Sequence, residues 1–132
     1  MAGETDLAIL LQSMRPVLRP STYVFVTIPA GGAAPEGLST LMSFREDEDQ
    51  TLIVPQEEAV AAGVHATFPC RMITLRIHSS LDAVGFLAAV LVPLAAAGIA
   101  VNPVSAFFHD HLFVPAARAE EAVRILEELA RP

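Results

Sequence analysis

Arg71-Met72-Ile73-Thr74-Leu75-Arg76-Ile77-His78 places apolar Ile73, Leu75 and Ile77 in strict alternation with Met72, Thr74, Arg76 and His78. A period of two with one apolar face and one mixed face predicts a strand in an antiparallel sheet covered on a single side. Ser79-Ser80 follows as a helix N-cap signal, with Asp82 in the expected first turn. Residues 81–97 then read as a helix apolar almost all round, with Val84, Leu87, Leu91 and Leu94 on one face and Phe86 and Val90 on another. Such a helix is either deeply buried or touches a partner. Gly98 sits where a left-handed helix stop is expected.

Downstream, residues 99–108 read as a strand, His109-Asp110 as a turn and residues 111–114 as the returning strand. Pro115 opens a last helix whose stripe is Ala122, Val123, Leu126 and Leu129. Glu120/Arg124 and Arg124/Glu128 are expected as i,i+4 pairs on its wet face. The order β-α-β-β-α with two amphipathic helices predicts an α+β, ferredoxin-like arrangement, helices packed on one face of an antiparallel sheet. A closing strand is missing.

Upstream, Leu7, Leu10, Leu11 and Met14 have helical spacing, and Pro16 and Pro20 are expected to end that helix. Residues 23–28 form a β-rich run, and residues 30–37, with three glycines and Pro35, a loop. Residues 41–45 and 51–54 read as a hairpin with Glu46-Asp47-Glu48-Asp49 as a solvated tip. Pro55 opens a short helix that Gly63 stops. Leu52-Ile53-Val54-Pro55 followed by Glu57-Glu58-Ala59-Val60 repeats in Leu112-Phe113-Val114-Pro115 followed by Glu120-Glu121-Ala122-Val123. That repetition points to an internal duplication, with units at residues 1–65 and 66–132. The first lacks an opening strand and the second a closing one, so the two are expected to share or exchange edge strands in one fused body.

Composition narrows the function. The 132 residues carry a net charge of −7, and all 8 basic residues are arginine, scattered along the chain. No cationic footprint for nucleic acid is visible, and the lack of lysine excludes Schiff-base chemistry and a Gly-Lys-Ser/Thr phosphate loop. Hydrophobic residues reach 53%, which leaves surplus apolar surface and favours a second copy as partner. Residues 83–101 are uncharged, but Pro93 and Gly98 interrupt them, so a buried helix turning into a strand is expected instead of a membrane span. Cys70 is the single cysteine, which fits a reducing cytoplasmic setting, and the acidic, polar residues 1–6 show no signal peptide.

Catalytic patterns are absent. His65, His78, His109 and His111 include no His-Glu-x-x-His, and His109-Asp110-His111 reads as a polar hairpin tip. Cys70 reads as a structural thiol. No metal and no cofactor are expected. The strand-to-helix junction remains: Ser79, Ser80, Leu81, Asp82, Ala83, Val84 and Gly85. Free N–H groups at a helix start attract carboxylates, and Asp82 can accept from an ammonium group. An α-amino acid carries both charges. An ordinary capped helix is the competing reading.

Leu81-Asp82-Ala83-Val84-Gly85-Phe86-Leu87, then residues 94–101 and residues 104–115, resemble the ACT domain. Tyr23-Val24-Phe25, residues 42–46 and residues 52–55 resemble the N-terminal partner of small stand-alone bacterial tandem ACT proteins. The resemblance implies two fused βαββαβ units, a regulatory and non-catalytic role, amino-acid binding at an interface between units, and a homodimer. The family's Asp-x-Pro-Gly turn appears here as Asp82-Ala83-Val84-Gly85, without the proline. The expected ligand site is Ser79 to Gly85 facing Asn102, with the ligand carboxylate at the helix start and Asp82 or Asn102 holding the amino group. Two other readings stay open: an interaction module without ligand, and a metal-dependent enzyme using His109 and His111.

Overall fold

The computed structural model describes residues 3–131. In chain order the elements are α1 (Leu7–Ser13), β1 (Arg15–Pro29), β2 (Met42–Arg45), β3 (Asp49–Pro55), α2 (Gln56–Ala62), β4 (Thr67–Arg76), α3 (Phe86–Ala96), β5 (Asn102–Ser105), β6 (Asp110–Pro115), a 3-10 turn (Ala116–Arg118) and α4 (Ala119–Ala130). The chain divides into two compact units. One runs to Pro20 and resumes at Arg71; the other is Ser21–Cys70. Strand order is β1-β4-β6-β5 in the first and β2-β3-β1-β4 in the second, the chain passing between units within β1 and within β4. Each is an α+β, ferredoxin-like unit.

In the first unit Ile73 and Leu75 of β4 and Leu112 and Val114 of β6 pack with Leu10 of α1, Val90 and Leu94 of α3, and Leu126 of α4. The alternation of 71–78 therefore marks the helix-covered face, but cover is not confined to one side as expected: Met72 and Thr74 on the opposite face of β4 are buried too, at 8% and 3% exposure. The second unit buries Val24, Val26 and Ile28 of β1 with Leu52 and Val54 of β3 and Ala59 of α2. Antiparallel pairing sets Val24 against Val54 and Val26 against Leu52, which brings these β-branched and apolar side chains onto one face.

Several element boundaries differ from the sequence expectation, each for a physical reason. β1 runs 15 residues straight through Pro16 and Pro20. Proline lacks a ladder N–H, but its fixed φ lies in the extended region, so it ends a helix without ending a strand. β4 begins at Thr67 and stops at Arg76, two residues before His78. α3 starts at Phe86 instead of residue 81, because Gly85 adopts φ 89°, ψ −10° and breaks the helical path. Ser80 caps a tight turn and not this helix: its Oγ accepts from Asp82 N at 3.0 Å and its carbonyl from Ala83 N at 3.0 Å. Pro93 lies inside α3 without ending it.

At the other end of α3, Gly98 N donates to Ala95 O and Ile99 N to Leu94 O, at 2.9 and 3.0 Å, with Gly98 at φ 74°. This is the Schellman closure expected of Gly98. α2 closes the same way: Gly63 N to Val60 O and Val64 N to Ala59 O. The β5–β6 hairpin turns two residues earlier than expected. Ser105 pairs with Asp110, Ala106 N donates to His109 O, and Phe107-Phe108 form the tip in place of His109-Asp110. On α4 the ion pairs are Arg118–Glu121 at 2.7 Å and Arg131–Glu128 at 3.0 Å, both i,i+3, in place of the pairs expected through Arg124. Among the described residues no helix is long and apolar enough to cross a membrane.

Leu126 touches core from several elements and is fully buried, whereas Val92 on α3 is exposed. Leu126→Ala is expected to cost about 2–5 kcal/mol in urea unfolding, and Val92→Ala to stay within about 0.5 kcal/mol of wild type.

Candidate functional site

The junction between β4 and α3 is built by backbone economy. Ile77 N donates to Leu75 O and Ser79 N to Ile77 O, each at 2.9 Å, so the chain curls sharply as it leaves β4. Residues near the N-terminus fasten the curl: Glu4 N donates to His78 O at 2.8 Å, Ser80 N donates to Glu4 O at 2.9 Å, and Glu4 and Ser79 form a parallel bridge. Gly3 is required for this approach, since a Cβ there would collide with the His78 carbonyl. The clasp had no signal in the local sequence pattern, because it joins segments more than 70 residues apart.

A cavity of about 190 Å³ opens beside this junction, lined by Ser79, Ser80, Leu81, Ala83, Phe86 and Leu87 on one side and Ser105, Ala106 and Asp110 on the other. Of the eight expected site residues, Ser79, Ser80, Leu81 and Ala83 line it. Asp82, Val84, Gly85 and Asn102 are not on its wall. Val84 is 85% exposed, Asn102 is exposed and pairs with Phe113 across the hairpin, and Gly85 serves as the turn into α3. Asp82 is exposed and contributes its N–H to Ser80. The start of α3 has no side-chain cap, so its first N–H groups are left for a partner.

Sequence reasoning missed Ser105 and Asp110. Asp110 is 8% exposed, and its Oδ1 accepts from the Ser105 hydroxyl at 2.5 Å. With His109-Asp110 read as a turn, Asp110 would have faced solvent. The register that pairs it with Ser105 is what places it at the mouth of the hairpin against the cavity. The signal was present only as a serine and an aspartate five residues apart around an aromatic pair.

The histidines are dispersed among other tasks. His109 Nδ1 lies 3.3 Å from Ile77 O and His111 Nδ1 3.0 Å from Thr74 Oγ1, with the two rings 6.3 Å apart. His78 sits beside the Phe107 and Phe108 rings, at 5.8 and 5.3 Å. Among the described residues no three His, Cys, Asp or Glu side chains converge as metal ligands. Cys70 is buried in the second unit, its Sγ donating to Tyr23 O at 3.3 Å. Burial pushes this thiol up to about 12, which removes the thiolate that nucleophilic chemistry needs.

Comparison with known proteins agrees with this geometry. ACT-domain family models match in tandem, over residues 2–71 and residues 67–128. The chain belongs to the ACT-domain family. It is 39% identical to a Vibrio cholerae protein of unknown function described as a possible transport protein, with a TM-score of 0.85 over 95% of this chain and 96% of that one. It shares its fold with a protein from Agrobacterium tumefaciens, at 20% identity and a TM-score of 0.73 over 89% of each chain. The ligand-free regulatory subunit of aspartate kinase from Thermus thermophilus also has this fold, at 13% identity and a TM-score of 0.67, covering 89% of this chain and 97% of that one. No curated protein matches.

Buried Cys70 and half-buried His111 give separate tests. Cys70 is expected to resist iodoacetamide in the native protein near pH 8 and to alkylate fully in denaturant, as read by mass spectrometry. His111 is held below its usual pKa, first by burial and then by nearby His109, with Arg19 acting the same way and Asp110 opposing. The unfolded chain therefore binds a proton near pH 6.5 that the folded chain resists, so stability falls as pH drops through that range. His111→Gln is expected to lose less melting temperature than wild type between about pH 7.5 and pH 5.5.

Proposed function

We propose that the protein is a non-catalytic regulatory sensor that binds an amino acid at the β4–α3 junction. The observation that carries this reading is the cavity against Ser79, Ser80, Leu81 and Ala83, with the uncapped start of α3 beside it. A ligand carboxylate meets the free N–H groups there. Asp82, Val84 and Gly85 shape the turn, and Asn102 lies on β5 of the same unit, off the cavity wall. The ACT-domain family and a fold shared with regulatory subunits support regulation over catalysis. The tandem matches support ACT-like units at residues 1–65 and 66–132, and the passage of β1 and β4 through both compact units supports exchange of edge strands. The protein works in the cytoplasm of a bacterium as a homodimer.

Thermal-shift assay and calorimetry against the twenty amino acids test the reading. Ligand at a hundredfold excess over its Kd is expected to stabilise the fold by about 2.7 kcal/mol. A melting temperature unmoved by all twenty, with no heat of binding, defeats the amino-acid reading.

A second reading, an interaction module without ligand, draws on exposed Leu81, Val84, Phe107 and Phe108 in the first unit. The Phe107 and Phe108 rings pack together at 5.0 Å, and exposed apolar patches mark association surfaces. It predicts a dimer by sedimentation that Phe107→Ser with Phe108→Ser converts to monomer, and no response to any amino acid.

A further inference from the structure

We infer that Asp110, held by Ser105, is the charge-reading residue of the cavity, and that the cavity takes a small ligand bearing a primary ammonium group and no net negative charge. The inference rests on the binding site proposed above but uses a carboxylate outside the loop on which that proposal stands. Three observations carry it.

Among the described residues Asp110 is the one ionisable side chain on the cavity wall; the other lining residues are serines, alanines, leucines and a phenylalanine. None of them is an arginine, and the chain has no lysine. His109 and His111 flank Asp110 in sequence but do not line the cavity, and a mostly buried carboxylate with no arginine or lysine beside it on the wall favours a cation as its partner.

The second observation is the way Asp110 is held. It is 8% exposed, its Oδ1 is taken by the Ser105 hydroxyl, and Ser105 and Asp110 are register partners across β5–β6. Among the described residues no hydrogen bond engages Oδ2. The hairpin therefore fixes the carboxylate with one oxygen satisfied and the other available to a donor. Charge-assisted N–H···O⁻ bonds are about twice as strong as neutral ones.

The third is size. At about 190 Å³ the cavity is smaller than the roughly 300–1,000 Å³ of sites for drug-sized ligands. A nucleotide does not fit, whereas an amino acid with a short side chain does. Aspartate and glutamate bring a second carboxylate next to Asp110 with no cation to meet it, so they are disfavoured against serine, alanine or threonine.

Calorimetry on the full chain uses L-serine, L-alanine, L-threonine, L-aspartate, the N-acetyl form of each, and ethanolamine. The expected result is binding of the short neutral amino acids, a loss of at least about tenfold on N-acetylation, and a similar loss in Asp110→Asn. Asparagine still accepts from Ser105, so that variant removes charge while keeping the hairpin bond. Should Asp110→Asn fail to fold, the N-acetyl comparison on wild type decides alone.

Equal binding of free and N-acetylated ligands, or undiminished binding by a folded Asp110→Asn, overturns the role of Asp110 and leaves the amino-acid site standing. Preference for L-aspartate over L-serine overturns it as well. Binding of ethanolamine that Asp110→Asn abolishes, with no response to any amino acid, upholds the carboxylate and defeats the amino-acid reading. No binding of any probe overturns both.

Discussion

Burial of one sheet face beneath helices holds the first unit together, and the geometry of the candidate site follows from it. Ile73, Leu75, Leu112 and Val114 are strand residues whose side chains leave water only when α1, α3 and α4 lie across them. Each fully buried side chain contributes about 1.5–3 kcal/mol, so the helices cannot lift without losing the core. With α3 pinned along the sheet, the chain must travel from the end of β4 at Arg76 to Phe86 in a short span. Every polar group in that span then needs a partner near the sheet end. Ser80, Glu4 and the turn at Gly85 supply some of them, and Ser79, Ser80, Leu81 and Ala83 border the cavity.

The cavity thus lies where the β4–α3 junction meets the β5–β6 hairpin. The loop side brings backbone donors and serine hydroxyls, and the hairpin side brings a single carboxylate held by Ser105. The side chains with reactive potential elsewhere are engaged: Cys70 buried and protonated, His111 on Thr74, His109 at the Ile77 carbonyl.

Much of the fold was legible because it depends on local periodicity. The octet at 71–78 revealed both the strand and its covered face, and Gly63 and Gly98 revealed where two helices stop. Pro16 and Pro20 misled for a physical reason: proline excludes helix but permits extended chain, and only neighbouring strands decide that β1 continues through them. Gly85 misled in the opposite sense. In an apolar run it reads as a tolerated helical glycine, yet at φ 89° it is the break that delays α3. Half of the candidate site, Ser79, Ser80, Leu81 and Ala83, was visible as a capping pattern. Asp110 was not, since a hairpin register slipped by one residue sends the same side chain to the other face.

The sequence by itself determined the α+β class, the duplicated Val-Pro-helix pattern, the covered face of β4 and the lack of familiar catalytic constellations. These follow from side-chain period, turn chemistry and composition, which act over a few residues. Tertiary structure alone decided that residues 3–4 clasp residues 78–80, that β1 contributes to both compact units, and that Ser105 fixes Asp110 against the cavity. Those features join segments distant in sequence. Their free energy comes from pairing backbone groups and excluding water between surfaces that meet only after the chain has folded.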